Sequence, residues 1–306
     1  MEKVVTVILI LSLCLMPVQI QAKSVTSGTD DNGNKWTYHT STKTLTFAGD
    51  KAISDFTLNG HDREPYWYRW SNKTEHIVIE EGITGIGSEA FAGFVKVLSV
   101  NIPYTVKKIK RNSFENNYRL REIQIPNEVI SIGDKAFAGC HGLKNLSLPS
   151  KLNYVGSFEF CKNIKSISLP DSTKDTADGM FTGCEMLTSV KLPRKLKAIK
   201  AYDFADCRKL TKLNIPVTVK VVYMSAFAGS GLKKIVLPSN VQKIRNGNDG
   251  QKVFEYIKGI GYPTKNLRVI EIHSKKVKSI QKNSFSGLSS KVVIKVPKSK
   301  KKKYTK

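Results

Sequence analysis

Four cysteines, Cys140, Cys161, Cys184 and Cys207, lie 21, 23 and 23 residues apart, a spacing open to three chemistries: metal ligation, disulfide pairing or burial as free thiols. Metal ligands must converge from several directions. A disulfide needs Cβ vectors that face one another. Each cysteine follows a phenylalanine by three residues, after Phe137, Phe158, Phe181 and Phe204, so all four hold one position of a repeat and point the same way. A column of parallel side chains serves the first two chemistries poorly, and burial as a small apolar group suits it better. The histidines His39, His61, His76, His141 and His273 share no ligand spacing, and neither a GxSxG elbow nor a GxxxxGK(S/T) loop occurs. In DDNGN at residues 30–34 the oxygens are closely spaced, but Lys35 stands where a calcium loop needs glycine, so the stretch reads as a turn. These residues predict no catalytic centre, no cofactor and no metal.

Capture of anions is the other chemistry on offer. The net charge is +25, and residues 211–306 hold 22 Lys or Arg against Asp249, Glu255 and Glu271, leaving only +6 for the first 210 residues. Such asymmetry points to an anionic partner or surface near the C-terminal end. Lys107, Lys108, Lys110 and Arg111, then Lys197, Lys200, Lys220, Lys243 and Lys278, fall at related positions of successive repeats, so stacking is expected to align many of them on one flank. The terminal Lys300, Lys301, Lys302 and Lys303 form a polybasic cluster, which near an anionic membrane is worth about 1 kcal/mol per residue. An anionic wall polymer, a sulfated glycan or a membrane surface fits these groups; a solvated lysine face is the competing reading. Nucleic acid fits less well, because aromatic side chains do not interleave with the basic positions.

The elements that must position these groups are repeats. Phenylalanine recurs at Phe91, Phe114, Phe137, Phe158, Phe181, Phe204 and Phe227, at steps of 23 residues with one step of 21. Six residues later comes an aliphatic residue, as at Val97, Leu120, Leu143, Ile164, Leu187 and Leu210, which opens strand patterns such as LREIQIP, LKNLSLP and LTSVKLP. Alternation sends the aliphatic residues inward and the others to solvent. Arg121, Lys144, Lys165, Lys212 and Lys233 therefore face outward and are the candidate partner-binding residues. A proline, lacking an N–H donor, closes each strand from Pro103 to Pro238. A second apolar pair follows, such as Val129 and Ile132, and then the turn with the phenylalanine, where one short helical turn is expected. No unit can bury its apolar face alone, so neighbours must stack.

Residues 1–22 have Lys3, an apolar run and Ala22 before polar sequence, and predict a secretory signal peptide cleaved after Ala22. Residues 23–72 show no repeat. Their KWTYHTSTKTLTF alternation predicts a β-hairpin, and Pro65, Tyr66, Trp67, Tyr68 and Trp70 supply aromatics to cover the open end of the first repeat, so the segment reads as an N-terminal cap. The repeats span residues 73–297, with a polar, glycine-rich insertion near 245–266, and residues 298–306 form a basic tail. Two residues are missing between Pro149 and Phe158, and Thr173 and Thr176 replace the apolar pair after Pro170, which predicts a weak second strand there.

The LxxIxLP strands, the SIGDKAFAGC turn at residues 131–140 and the 23-residue period resemble the BspA-like, or treponemal-type, leucine-rich repeats of bacterial surface and secreted proteins. The resemblance covers roughly residues 80–297. It implies a leucine-rich-repeat solenoid, a right-handed parallel β-solenoid, that is extracellular, non-enzymatic and binds proteins or glycans of host or neighbouring cells. It carries no binding site with it, since fold does not fix function.

Overall fold

A computed structural model describes residues 25–57, 64–223, 225–245, 266–277, 279–280 and 288–300. The signal-peptide segment, most of the insertion, Lys278, Lys301, Lys302 and Lys303 lie outside the described residues.

The chain opens with an antiparallel meander of β1 (Val25–Thr29), β2 (Lys35–His39) and β3 (Thr44–Ala48). The alternation read in the sequence forms the β2–β3 hairpin and turns Trp36, Tyr38, Leu45 and Phe47 into the core. β3 then pairs in parallel with β4 (His76–Ile79), Thr44 opposite His76 and Phe47 opposite Ile79, so the meander becomes the first rung of a parallel stack. Trp67 seals this end: it is fully buried, its Nε1 donates to the Ala90 carbonyl at 2.8 Å, and Phe47 and Phe56 meet it edge-on.

Most later coils contribute two short strands, but the leading segment opened by Leu143 makes only an isolated bridge, Asn145 to Ser166, and the one opened by Leu210 forms no strand. The leading strands run from Ser99–Asn101 and Glu122–Ile123, through Ser166–Ser168 and Ser189–Lys191, to Lys234–Leu237, Val269–Ile272 and Val293–Lys295. The trailing strands are mostly dipeptides, among them Lys108–Ile109, Ser131–Ile132, Tyr154–Val155, Asp175–Thr176, Ala198–Ile199 and Val221–Val222. All pairing from β3 onward is parallel, coil upon coil. The result is a parallel β-solenoid with almost no helix.

The turn between trailing and leading strands is not helical, contrary to expectation. The residues two before and two after the repeat phenylalanine are left-handed in coil after coil, as at Lys135 (φ 55°) and Gly139 (φ 72°), Tyr202 and Asp206, or Gly179 and Gly183. A left-handed residue ends an α-helical turn before a second bond can form. The turn instead bonds sideways: Phe114, Phe158 and Phe204 donate their N–H groups to Ala136, Met180 and Ala226 of the next coil at 2.7–2.9 Å. At the centre lies an unbroken phenylalanine ladder. From Phe91 to Phe227 successive rings sit between 5.4 Å (Phe91 and Phe114) and 6.3 Å (Phe137 and Phe158) apart, near parallel.

The two-residue deletion is absorbed without loss of register, since Tyr154 still pairs with both Ser131 and Asp175. Gly156 makes this possible: a Cβ there would lie 2.0 Å from the Gly133 carbonyl oxygen. The strand expected to be weak forms toward one neighbour only. Asp175–Thr176 pairs with Tyr154–Val155, but no strand pairing joins it to Ala198–Ile199.

Removing one ring from the middle of the ladder opens a cavity that two neighbours cannot close. Phe137→Ala is expected to cost about 3–5 kcal/mol in chemical denaturation, within the range for buried Phe truncations, with a loss below about 1 kcal/mol for the exposed Phe160→Ala.

Candidate functional site

The cysteine column is structural. Cys140, Cys161, Cys184 and Cys207 are fully buried and unpaired, and each Sγ donates to the carbonyl of the phenylalanine in the preceding coil, Phe114, Phe137, Phe158 and Phe181, at 3.0–3.2 Å. Burial pushes all four thiols up, that of Cys161 to about 12. Thiols this far above neutrality carry no thiolate with which to attack or ligate. The DDNGN stretch is a saturated turn: Asp30 accepts the N–H groups of Asn32, Asn34 and Ser54 and the Asn34 amide. Among the described residues no cluster of three or more His, Cys, Asp or Glu could hold a metal ion.

The surface chemistry lies in columns running along the solenoid. The first is the position just after the aliphatic residue that opens each leading strand. Arg121, Lys144 and Lys165 occupy it in successive coils, followed by Thr188, Thr211, Lys233 and Arg268. Backbone bonds hold the register: Lys165 N–H to Lys144 O, Thr188 N–H to Lys165 O and Arg268 N–H to Lys233 O, at 2.8–3.2 Å. Lys212 and Lys234 sit one position further on, in the column that also holds Glu122, Asn145, Ser166 and Ser189. Arg121, Lys144, Lys165, Lys212 and Lys233 are all exposed, and none has an ion-pair partner among the described residues.

Between Asn145 and Lys191 the outer face of the leading strands sinks into a depression of about 550 Å³ lined by Ser147, Ser166, Ser168 and Ser189 together with Leu146, Leu148, Ile167 and Pro170. A second hollow of about 510 Å³ follows at Lys212, Asn214, Val236 and His273.

The trailing-strand lysines do not form the single stripe expected from sequence. They divide among three columns, because positions one residue apart in a strand face opposite ways. Lys107, Lys197 and Lys220 share one, with Lys174 completing a run of three consecutive basic coils. Lys108 and Lys243 share another, separated by Ser131, Tyr154, Asp175, Ala198 and Val221. Lys110 and Lys200 are engaged. Lys110 bonds Asp55 at 2.6 Å, and Lys200 bonds Asp175 at 2.9 Å and also donates to the Thr176 carbonyl. Burial opposes ionisation of both aspartates, yet the hydrogen bonds from these lysines hold their carboxyls below the usual range. Lys300 closes a 3-10 turn at Lys298–Lys300.

Spacing alone could have found Lys174, four residues past Pro170 as Lys197 is past Pro193. No such signal marked Asp203. It stands immediately before Phe204, where other coils have Ala90, Ala136 and Ala226, and its buried carboxylate accepts the N–H groups of Lys200 at 2.6 Å and Met180 at 3.3 Å. Burial pushes its pKa up to about 7, although both N–H groups oppose the rise.

Two parallel strands per coil, a proline closing the leading strand and a phenylalanine-centred turn define a leucine-rich repeat solenoid. The profile of the BspA type leucine rich repeat region matches in six copies over residues 63–161 and 156–259, and the chain belongs to that family. Among solved structures it is similar to a leucine-rich repeat protein from Bacteroides ovatus, at 24% identity and a TM-score of 0.67, over 91% of this chain and 76% of that one. A leucine-rich repeat protein from Eubacterium ventriosum matches at 17% identity and a TM-score of 0.56, over 89% of this chain and 85% of that one. Comparison with curated proteins gave no match.

Asp203 makes stability depend on pH in a stated direction. Unfolded, its carboxyl loses its proton near the ordinary 3.8, whereas folded it holds the proton up to about 7. Its contribution is therefore full below pH 3.8 and lost as pH rises through 7. Chemical denaturation of the native protein is expected to show stability falling by up to about 1.4 kcal/mol per pH unit across that window and levelling above it. Asp203→Ala should flatten the slope, whatever its absolute stability.

Proposed function

We propose that this protein is an exported, non-enzymatic interaction scaffold that binds a protein or glycan partner through the outer face of its leading strands. The observation that carries the reading is the column of exposed Arg121, Lys144, Lys165 and Lys233 on one flank of that face, without ion-pair partners among the described residues, above a core whose cysteines, aromatics and aliphatics are engaged in stacking. A flat, repeated surface of outward side chains suits recognition of an extended partner. Residues 1–22, with a charged start, an apolar run and a small residue before polar sequence, support export and a location outside the cell.

A second reading, electrostatic retention on an anionic wall polymer or membrane, rests on the 22 basic against three acidic residues in 211–306. Glu271, one of the three, already serves Lys234 at 2.8 Å and Lys295 at 3.4 Å, and the hydrogen bond from Lys234 chiefly keeps its carboxyl below the usual range.

Solid-phase binding of the full chain to matrix proteins, mucin and intact cells separates the two. Saturable binding is expected to fall about tenfold or more in a Lys144→Glu, Lys165→Glu, Lys233→Glu variant, the scale of one or two lost charge-assisted contacts, and to persist in a chain ending at Pro297. Loss of cell association on truncation and in high salt, with the triple variant unaffected, assigns the attachment to the basic end instead.

A further inference from the structure

We propose that the depression between Asn145 and Lys191, with its basic flanks, binds an anionic polysaccharide laid along the solenoid axis. The proposal rests on the reading of the leading-strand face as the binding surface and names the class of ligand it takes.

The first argument is charge. Several basic residues of this solenoid are matched to acids, mostly on a neighbouring coil. Arg111 faces Glu89, Lys135 faces Glu159, Arg194 faces Asp171, and Lys162 and Arg208 both face Glu185. In the column of Arg121, Lys144 and Lys165, which borders the depression, three cations stack at about 4.8 Å per coil with no carboxylate among the described residues paired to any of them. Their mutual repulsion is tolerable in water and is relieved by a polyanion, whose successive charges meet successive coils. Lys191 lines the depression itself and adds a further cation there.

The second argument is hydrogen bonding. Several hydroxyls at other positions of the repeat are tied to carbonyls. Ser113 donates to Gly87, Thr105 to Ile83, Ser172 to Ser150, Thr188 to Lys165 and Thr218 to Arg194. In the floor of the depression Ser147, Ser166, Ser168 and Ser189, with the Asn145 amide, make no side-chain hydrogen bond to any described residue. They form a grid of short donors and acceptors, renewed every coil, facing solvent. Hydroxyls can both give and accept, which is the requirement for meeting a ligand that is itself a lattice of hydroxyls.

The third argument excludes other occupants. Protein interfaces draw most of their energy from aromatic or other large apolar anchors, and single-stranded nucleic acid needs aromatic platforms for its bases. The exposed large apolar residues of this chain, such as Tyr104, Tyr118, Phe160 and Met186, all lie off the depression. What remains is a shallow trough lined by serines and Asn145 together with the aliphatic edges of Leu146, Leu148, Ile167 and Pro170, sized for a few sugar units.

Affinity chromatography and titration of the full chain with heparin, polygalacturonate, neutral dextran and duplex DNA test this. Retention is expected on heparin and polygalacturonate but not on dextran, and weaker on DNA. Lys144→Gln with Lys165→Gln should weaken heparin binding about tenfold or more, and Ser166→Ala with Ser189→Ala should weaken it at unchanged charge. A control, Lys96→Gln with Lys195→Gln, removes equal charge away from the face and from the candidate anion-binding columns, and should change affinity less than about twofold. All these side chains are exposed, so unchanged melting curves should confirm that each variant folds. Equal losses in face and control variants, or DNA held as tightly as heparin, would overturn the proposal. So would the absence of binding to either polyanion at low salt, and in that case the cell-binding assay with the leading-strand variants still decides separately whether the face recognises a partner.

Discussion

From Phe91 to Phe227 the coils depend on one contact, the stacking of each phenylalanine on its neighbours. A leading strand of two to four residues and a trailing dipeptide cannot hold a coil in place by themselves, because their ladder bonds are few and partly exposed. The ring column supplies what the strands lack. From Phe91 to Phe227 it runs without interruption, and even across the coil shortened by two residues the rings stay within 6.3 Å. The thiols beside it bond the carbonyls of those same phenylalanines, so ring and backbone are held at a single level in each coil. At the N-terminal end Phe47 and Trp67 continue the column into the meander, which is how a repeat stack begins without an open apolar face.

This division of labour explains what could be read beforehand. Phenylalanine, proline and aliphatic positions are periodic because stacking demands the same shape at the same place, so coil boundaries and core residues were legible from spacing. The turn was misjudged because its left-handed residues are chemically diverse. Glu89, Asn112, Lys135, Tyr202 and Ser225 share no composition, only a backbone held by bonds from the adjacent coil, such as Glu89 N–H to Arg111 O and Asn112 N–H to Asp134 O. The lysine stripe failed for a related reason. Lys110 meets Asp55 across 55 positions of sequence, and no local pattern reveals such a partner. The serines of the depression went unnoticed because nothing in their type distinguishes them from Ser113 or Ser172; only the coil-to-coil hydrogen bonds, present there and missing here, separate them.

The two faces of a coil obey different rules. On the turn side, surface charges meet across coils, as Lys162, Glu185 and Arg208 do, and they add to the stack. On the leading-strand side Lys234 and Lys295 meet Glu271, but Arg121, Lys144 and Lys165 have no ion-pair partner among the described residues. Exposed ion pairs contribute little to stability, so leaving a column unpaired costs the fold almost nothing while it changes the potential over that face considerably. Recognition can therefore vary here without disturbing the core.

One junction stands apart from the others. Between the coil that ends at Pro193 and the next, the leading ladder stops at Ser189–Lys191 and the trailing ladder stops at Asp175–Thr176. Backbone bonds across come from the turn, through Gly179, Phe181, Gly183 and Lys209, with Arg194 reaching Asp171 and Lys200 reaching Asp175 as side-chain ties, and the rings of Phe181 and Phe204 tilt by 28°, more than any other pair of the column. A linear array is as cooperative as its weakest nearest-neighbour coupling. The solenoid is thus two stacks joined at a soft seam, and opening that begins at either end has a natural place to halt. Arg121, Lys144, Lys165 and the serine trough all belong to the first stack, so loss of order in the more basic second stack leaves them assembled.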